Sequence, residues 1–221
     1  MASILSTKIL EDAIYERLLG AGHALTHYNA LEAEHFPFSA ALYPVYVCSS
    51  QNAVAALKEY WHRQDEKTLL NAQWFCVGEQ TANALADLGI EVTAQAENAA
   101  TLIEDHLKPL QTKPLWFTGV RKTAALEHFI REKGCDYMDC YMTRAVEKSF
   151  SNTFDAVLFF SPSGIDSYLK CNALSDSTLA CCIGETTAEA VKAHSSNLLV
   201  SKKAGAMHLA VEVINHFKKE L

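Results

Sequence analysis

The chain has 221 residues, 49% hydrophobic and 20% charged, which suits two α/β lobes of roughly 100 residues each and excludes the disordered, collagenous and membrane-spanning classes. A formal net charge of -7, with no basic run longer than a pair, argues against nucleic acid as a partner. No stretch approaches the ~20 apolar residues of a membrane helix and the N-terminus lacks a signal-peptide pattern, so a cytoplasmic address and no membrane partner are expected.

Short apolar runs alternate with amphipathic helical patterns along the chain, which predicts α/β architecture with largely parallel sheets. A strand at Ser3–Leu5 precedes a helix from Glu11, whose stripe Ile14, Leu18 and Leu19 stops at Gly20-Ala-Gly22. A strand over His23–Leu31 follows. The second unit pairs a strand at Val45–Cys48 with a helix that starts at Ser49-Ser50 and runs through Val54 and Leu57 to Trp61. The third pairs Trp74–Val77 and Gly78-Glu-Gln-Thr81 with a helix from Ala82 to Leu88, closed by Gly89. A strand at Ile90–Val92 and a helix over Leu102–Leu107, stopped near Pro109, complete this half.

The pattern then repeats. Leu115–Thr118, Ala125–Ile130, Gly134 and a strand at Tyr137–Met142 echo the N-terminal unit. Val157–Phe160 with Ser161-Pro162-Ser163-Gly164 echoes the Ser49-Ser50 unit. Cys181–Ile183 with Gly184-Glu-Thr-Thr187-Ala188 echoes the Gly78 unit, and a last helix runs from Met207 to Phe217. The unit order one-two-three, one-two-three is a pseudo-duplication and predicts two similarly built lobes, divided most simply near Pro109–Pro114.

Four strand ends run into hydroxyl-bearing helix starts: Ser49-Ser50, Thr81, Ser161-Pro162-Ser163 and Thr186-Thr187. Ser161 before Pro162 suits a serine cap, and Thr186 followed by Glu189 fits a capping box, so capping accounts for each alone. Their recurrence at the carboxyl ends of strands, where α/β sheets bind ligands, adds a second reading, that of anion sites made by backbone N–H groups. Such sites hold carboxylates without a mass of Arg and Lys, which reconciles an acidic protein with an acidic ligand. The seven cysteines sit mostly in apolar runs without a C-x-x-C pair, so they read as buried hydrophobes in a reducing compartment rather than a zinc or redox site. His23 and His27 have helical metal-pair spacing, but on a strand that spacing separates them by ~13 Å, so no metal is expected. Gly20-Ala-Gly22 lies at the wrong end of its helix for a dinucleotide fingerprint, and no Walker sequence is present.

The set Ser49-Ser50-Gln-Asn-Ala-Val54, Val77-Gly78-Glu-Gln-Thr81-Ala82, Tyr141-Met-Thr143, Phe159-Phe-Ser-Pro-Ser-Gly164 and Ile183-Gly184-Glu-Thr-Thr187-Ala188, in this order over nearly the whole chain, resembles the uroporphyrinogen-III synthase family. Each motif is loose by itself; the five in order carry the resemblance. It implies two flavodoxin-like parallel-sheet lobes joined by a two-stranded connector, with the first lobe discontinuous, and so overrules the mid-chain division. On that view residues 1–30 plus 146–221 form one lobe and 36–138 the other, with connector strands at 31–35 and 139–145. The repeat then reads as two lobes that are circular permutants of each other.

The resemblance implies a lyase that closes hydroxymethylbilane with loss of water and inversion of ring D, giving uroporphyrinogen III. The substrate lies between the lobes, its acetates and propionates held largely by main-chain amides. A monomer is expected that needs no cofactor and contacts the preceding pathway enzyme transiently. Carried over by motif, substrate contacts fall on Ser49, Ser50, Thr81, Ser161, Ser163, Thr186 and Thr187, and Tyr141 matches the tyrosine that assists catalysis. Lys8, Arg121 and Lys122 are added on charge and position as cations for the substrate's carboxylates. Two departures from the family pattern stand out. Thr7-Lys8 replaces the usual Thr-Arg, removing a bidentate grip, and Ser50-Gln51 replaces a Ser-Pro. The rival reading is a noncatalytic tetrapyrrole-binding or regulatory module of the same fold; a binding protein for another carboxylated ligand is more distant, and the Tyr141-x-Thr143 motif speaks against it.

Overall fold

The computed structural model describes residues 1–39, 41–60, 66–133, 135–203 and 205–219. The expected helix end at Trp61 and the Gly134 stop lie outside the described residues. The chain forms two compact units, one of Met1–Glu32 with Arg144–Leu221 and a second of Ala33–Thr143.

The first unit holds β1 (Ser3–Ser6), α1 (Asp12–Gly20) and β2 (Ala24–His27) from the N-terminal stretch. In the second, after β3 (Leu31–His35), come β4 (Val45–Cys48), α2 (Gln51–Tyr60), α3 (Glu66–Asn71), β5 (Gln73–Val77), α4 (Glu79–Ala86) and β6 (Val92–Ala96). Next are α5 (Ala99–Leu102), running into a π-helical turn over Ile103–Leu107, then β7 (Leu115–Gly119), α6 (Ala124–Lys133) and β8 (Asp136–Ala145). The chain returns to the first unit with β9 (Ala156–Phe159), α7 (Pro162–Leu169), β10 (Leu179–Cys182), α8 (Glu185–Val191), β11 (Leu198–Val200) and α9 (Ala206–Lys219).

One sheet has the order β11-β10-β9-β1-β2, all of its pairs parallel. The other runs β3-β8-β7-β4-β5-β6, parallel from β8 through β6. Counted from its N-terminal strand, the first reads 2-1-3-4-5. The second gives the same order from β8 to β6 when β7 is counted first, which is the strand-level form of the circular permutation. Both sheets therefore reverse direction beside the first strand of their count, at β1/β9 and at β7/β4, and such points open a crevice at the carboxyl ends of the strands.

The strands differ from the sequence reading in detail. The run His23–Leu31 is two elements: the pairing with β1 runs out through the Tyr28 N–H on Ser6 O and the Ala30 N–H on Thr7 O before β3 begins. The strand expected at Ile90–Val92 starts only at Val92, since the Ile90 amide is used in closing α4 through Leu85 O. Gly22 and Gly89, at φ +84° and +76°, each bond back onto the helix they end, a conformation that favours glycine.

The central strands are buried on both faces, as parallel sheets covered by helices require. In the second unit Phe117, Tyr46 and Trp74 stack across β7, β4 and β5, with centroids 5.7 Å apart for Tyr46–Phe117 and 4.7 Å for Tyr46–Trp74. Each such pair adds about 0.5–1.5 kcal/mol beyond burial. The indole N–H of Trp74 donates to Leu69 O at 2.8 Å, and the Tyr46 hydroxyl accepts the Tyr43 N–H at 2.9 Å, so these buried polar groups are satisfied. Six of the seven cysteines are buried and Cys171 is exposed; all are free.

At the amino end of the same sheet the Tyr43 hydroxyl donates to Asp136 at 2.6 Å, and Lys113 pairs with the other carboxylate oxygen at 2.7 Å. Lys113 first and Tyr43 second hold the Asp136 carboxyl below its ordinary value, while the bond to Asp136 and then burial push the Tyr43 phenol up to about 12. The depressed Asp136 gives stability that is present above about pH 4 and lost as pH falls through its folded value. The raised Tyr43 gives stability present below about pH 10 and lost as pH rises through about 12. We expect Asp136→Asn to flatten both limbs, read as urea midpoints across the acid and alkaline ranges; limbs as steep as in the parent would remove the network from the stability profile.

Candidate functional site

In the second unit the alternation of β4 decides where its two serines point. Tyr46 and Cys48 pack on the α2 and α4 side and Val45 and Val47 on the opposite side, so Ser49 and Ser50 continue to opposite faces. Ser49 accepts the Trp116 indole N–H at 3.1 Å. Ser50 caps α2, its hydroxyl oxygen accepting the Ala53 N–H at 3.1 Å, and it donates its own proton to the Tyr141 hydroxyl oxygen at 2.9 Å.

Tyr141 reaches Ser50 through an irregularity in β8. The register with β7 runs Thr118↔Asp139 and then Gly119↔Tyr141, so Cys140 is an inserted residue. Without it, Tyr141 would share the face of Tyr137 and Asp139; with it, Tyr141 joins Met138 and Cys140 against the α2-side core. The half-buried ring lies against Gly119, where a built Cβ would stand 2.8 Å from Cζ.

Gly78, at φ +83°, is the N-cap residue of α4 and lends no side-chain cap. The buried Thr81 sits inside the first turn, its N–H bonded to Gly78 O at 3.1 Å. Lys122 is committed to Asp139 at 2.6 Å and lies 4.3 Å from the centre of the Tyr137 ring, whereas Arg121 is exposed.

In the first unit Ser161 caps α7 as its sequence suggests, accepting the Gly164 N–H at 3.1 Å, with Pro162 in the first turn. Ser163 follows, half-exposed, in that turn. The capping box read at Thr186 and Glu189 does not form. Gly184 takes the cap position, which moves Thr186 into the helix, and Glu189 pairs with Lys192 instead. Thr187 repeats Thr81 closely: it is buried to the same 4% exposure, with its N–H on Gly184 O at 3.1 Å. Lys8 follows β1, exposed, its backbone N–H and C=O both bonded to the buried Ser6 hydroxyl. This unit has its own tyrosine after β2, but Tyr28 is buried against Phe150 with its hydroxyl unpartnered among the described residues, and burial pushes its phenol up to about 12.

Accounting for protons separates these hydroxyls. Among the described residues Ser49 and Ser161 only accept, so each keeps a proton to donate. Thr81 and Thr187 make no side-chain hydrogen bond among the described residues. Ser50 has committed its proton to Tyr141, and that leaves the Tyr141 proton free. Sequence reasoning missed Gly119; the available signal was a glycine closing a strand, which marks a close approach. Among the described residues no cluster of three His, Cys, Asp or Glu could hold a metal, and no helix is long and apolar enough to cross a membrane.

The sequence model of the family HEM4: Uroporphyrinogen-III synthase HemD matches residues 13–210. In fold the chain is similar to the uroporphyrinogen-III synthetase of Helicobacter pylori 26695, with TM-score 0.76 and 18% identity over 98% of this chain and 100% of that one. It is also similar to a mutant uroporphyrinogen III synthase of the extremely thermophilic bacterium Thermus thermophilus, with TM-score 0.64 and 13% identity over 99% and 100% of the two chains. No curated protein matches the chain.

The cap and the buried threonine should separate by stability. Ser161→Ala is expected to cost about 1 kcal/mol. Thr187→Val should stay within about 0.5 kcal/mol, because the lost hydroxyl has no partner among the described residues. Denaturant midpoints decide it, and equal losses would make both residues structural caps.

Proposed function

The chain belongs to the uroporphyrinogen-III synthase family, and we propose that it performs that family's reaction with Tyr141 as the hydrogen-bond donor to the departing hydroxyl. The family is an enzyme family of heme biosynthesis, a cyclising lyase acting on a small-molecule tetrapyrrole precursor. Hydroxymethylbilane loses water, closes through a spiro intermediate, and becomes uroporphyrinogen III with ring D inverted.

The C–O bond that breaks is already weakened by the electron-rich pyrrole, which takes up the positive charge as an azafulvene. The protein need only stabilise the leaving oxygen and hold the chain in a reactive fold. One observation carries the assignment of the donor: Ser50 donates to the Tyr141 oxygen, so the phenol is oriented and its own proton stays available.

The bilane's carboxylates are, in this reading, met by hydroxyls with a proton to spare, at Ser49, Thr81, Ser161 and Thr187, together with Ser163, Thr186 and the amides of the same first turns. Lys8 and Arg121 supply exposed cations. Lys122 contributes through its pair with Asp139, and Ser50 through Tyr141. The reading includes a cofactor-free monomer of the cytoplasm that receives the bilane by transient contact with the enzyme before it. Its functional lobes are 1–30 with 146–221 and 36–138, and its connector strands are 31–35 and 139–145.

Incubation with freshly made hydroxymethylbilane, followed by separation of the isomers, tests the reaction. Excess type III is expected, and the uncatalysed type I alone, or binding without turnover, would leave only a tetrapyrrole-binding module. Tyr141→Phe should lower kcat on the order of 10²-fold with product identity retained, and full activity would remove the phenol from the mechanism. Thr81→Val and Thr187→Val should each raise KM on the order of tenfold at unchanged kcat; an unchanged KM would remove those hydroxyls from binding.

A further inference from the structure

The strand order β8-β7-β4 puts a whole strand between the backbone that carries Tyr141 and the serine that holds its hydroxyl. Two strand spacings are roughly 10 Å, so the side chain has to pass over β7 to make the bond. It passes at Gly119. A Cβ there would stand 2.8 Å from Cζ, 2.9 Å from Cε2 and 3.1 Å from the hydroxyl oxygen, closer than carbon atoms pack. The position is buried and the backbone is not in the left-handed region, so neither exposure nor a strained turn requires glycine. The requirement comes from the ring.

We propose that Gly119 and Ser50 are positioning residues for the Tyr141 phenol: the glycine seats the ring across β7, and the serine fixes the hydroxyl so that its proton points away from the protein. Ser50 then acts through the tyrosine and makes no hydrogen bond of its own to a carboxylate, because its single proton is already used. As the leaving oxygen draws on the phenol, the Ser50 proton supports the charge that grows on the Tyr141 oxygen. The proposal rests on the reading of Tyr141 as the donor.

The test is a double-mutant cycle with a second readout that does not depend on turnover. Gly119→Ala should lower kcat by about the factor seen in Tyr141→Phe, with KM nearly unchanged, and the double variant should be no slower than Tyr141→Phe alone. Ser50→Ala should lower kcat in the same direction, and Ser50→Thr, which keeps a hydroxyl, should restore it. In parallel, a fluorinated tyrosine placed at position 141 should show its fluorine resonance shifted by Gly119→Ala and by Ser50→Ala. An unmoved resonance in both variants overturns the seat. So does wild-type kcat in Gly119→Ala alongside a slow Tyr141→Phe, or additive losses in the double variant. If Tyr141→Phe itself keeps full activity, the donor reading fails, and the resonance still shows whether glycine and serine position the ring. Should Gly119→Ala not fold, Ser50→Ala and its resonance decide alone, since that change adds no atoms.

Discussion

An aromatic ring that crosses a neighbouring strand needs a place on that strand without a side chain, and the site in the second unit depends on this exclusion. Gly119 leaves the space and the inserted Cys140 turns Tyr141 toward it. Ser50 waits on the far side as the cap of α2. Each contribution is local, but none is useful without the others. A side chain at 119 displaces the ring, a regular register points the tyrosine at Asp139 and Lys122, and without the serine the hydroxyl has no fixed partner. Below them the stack of Phe117, Tyr46 and Trp74 makes the floor stiff, because close-packed aromatics with satisfied polar ends have little room to shift.

An acidic protein that takes a polycarboxylate has to attract anions without net positive charge. At -7 the chain cannot rely on a long-range field, so recognition falls to short-range donors. Both units repeat one arrangement: a glycine in the cap position leaves the first-turn threonine free of capping duty, as at Gly78 with Thr81 and Gly184 with Thr187. A serine in the cap position, as at Ser161, satisfies the helix with one lone pair and keeps its proton. Of the candidate cations, Lys122 is already paired with Asp139.

Much of this was legible in the chain. The alternation of apolar runs and amphipathic stripes pointed to the parallel α/β class, and glycine stops such as Gly22 and Gly89 marked helix ends, because these signals are local. The serine cap before Pro162 was equally readable. What failed was reasoning that treated a local match as decisive. Thr186 and Glu189 have the spacing of a capping box, yet Gly184 two residues earlier starts the helix, and the pattern falls inside it. The insertion at Cys140 leaves no trace in a strand already mixed in polarity, since a register is set by the partner strand rather than by the sequence that carries it. Gly119 carried a weak signal, and its meaning emerged only once the ring of a residue 22 positions later was found lying over it.

The two units share a strand order, a capping serine and a buried first-turn threonine, but they do not share a usable tyrosine. In the first unit the stretch after β1 reads Thr7-Lys8-Ile9, with no glycine among them. Its tyrosine after β2, Tyr28, is instead packed against Phe150, with a hydroxyl unpartnered among the described residues and a phenol pushed up to about 12, which suits packing rather than proton donation. The duplication therefore repeats the capped helix start and the first-turn threonine in both units, and the proposed reading of Tyr141 leaves the donor to one. On that reading an asymmetric division suits the reaction: the bilane has a single hydroxymethyl end, and a second donor would have no leaving group to serve.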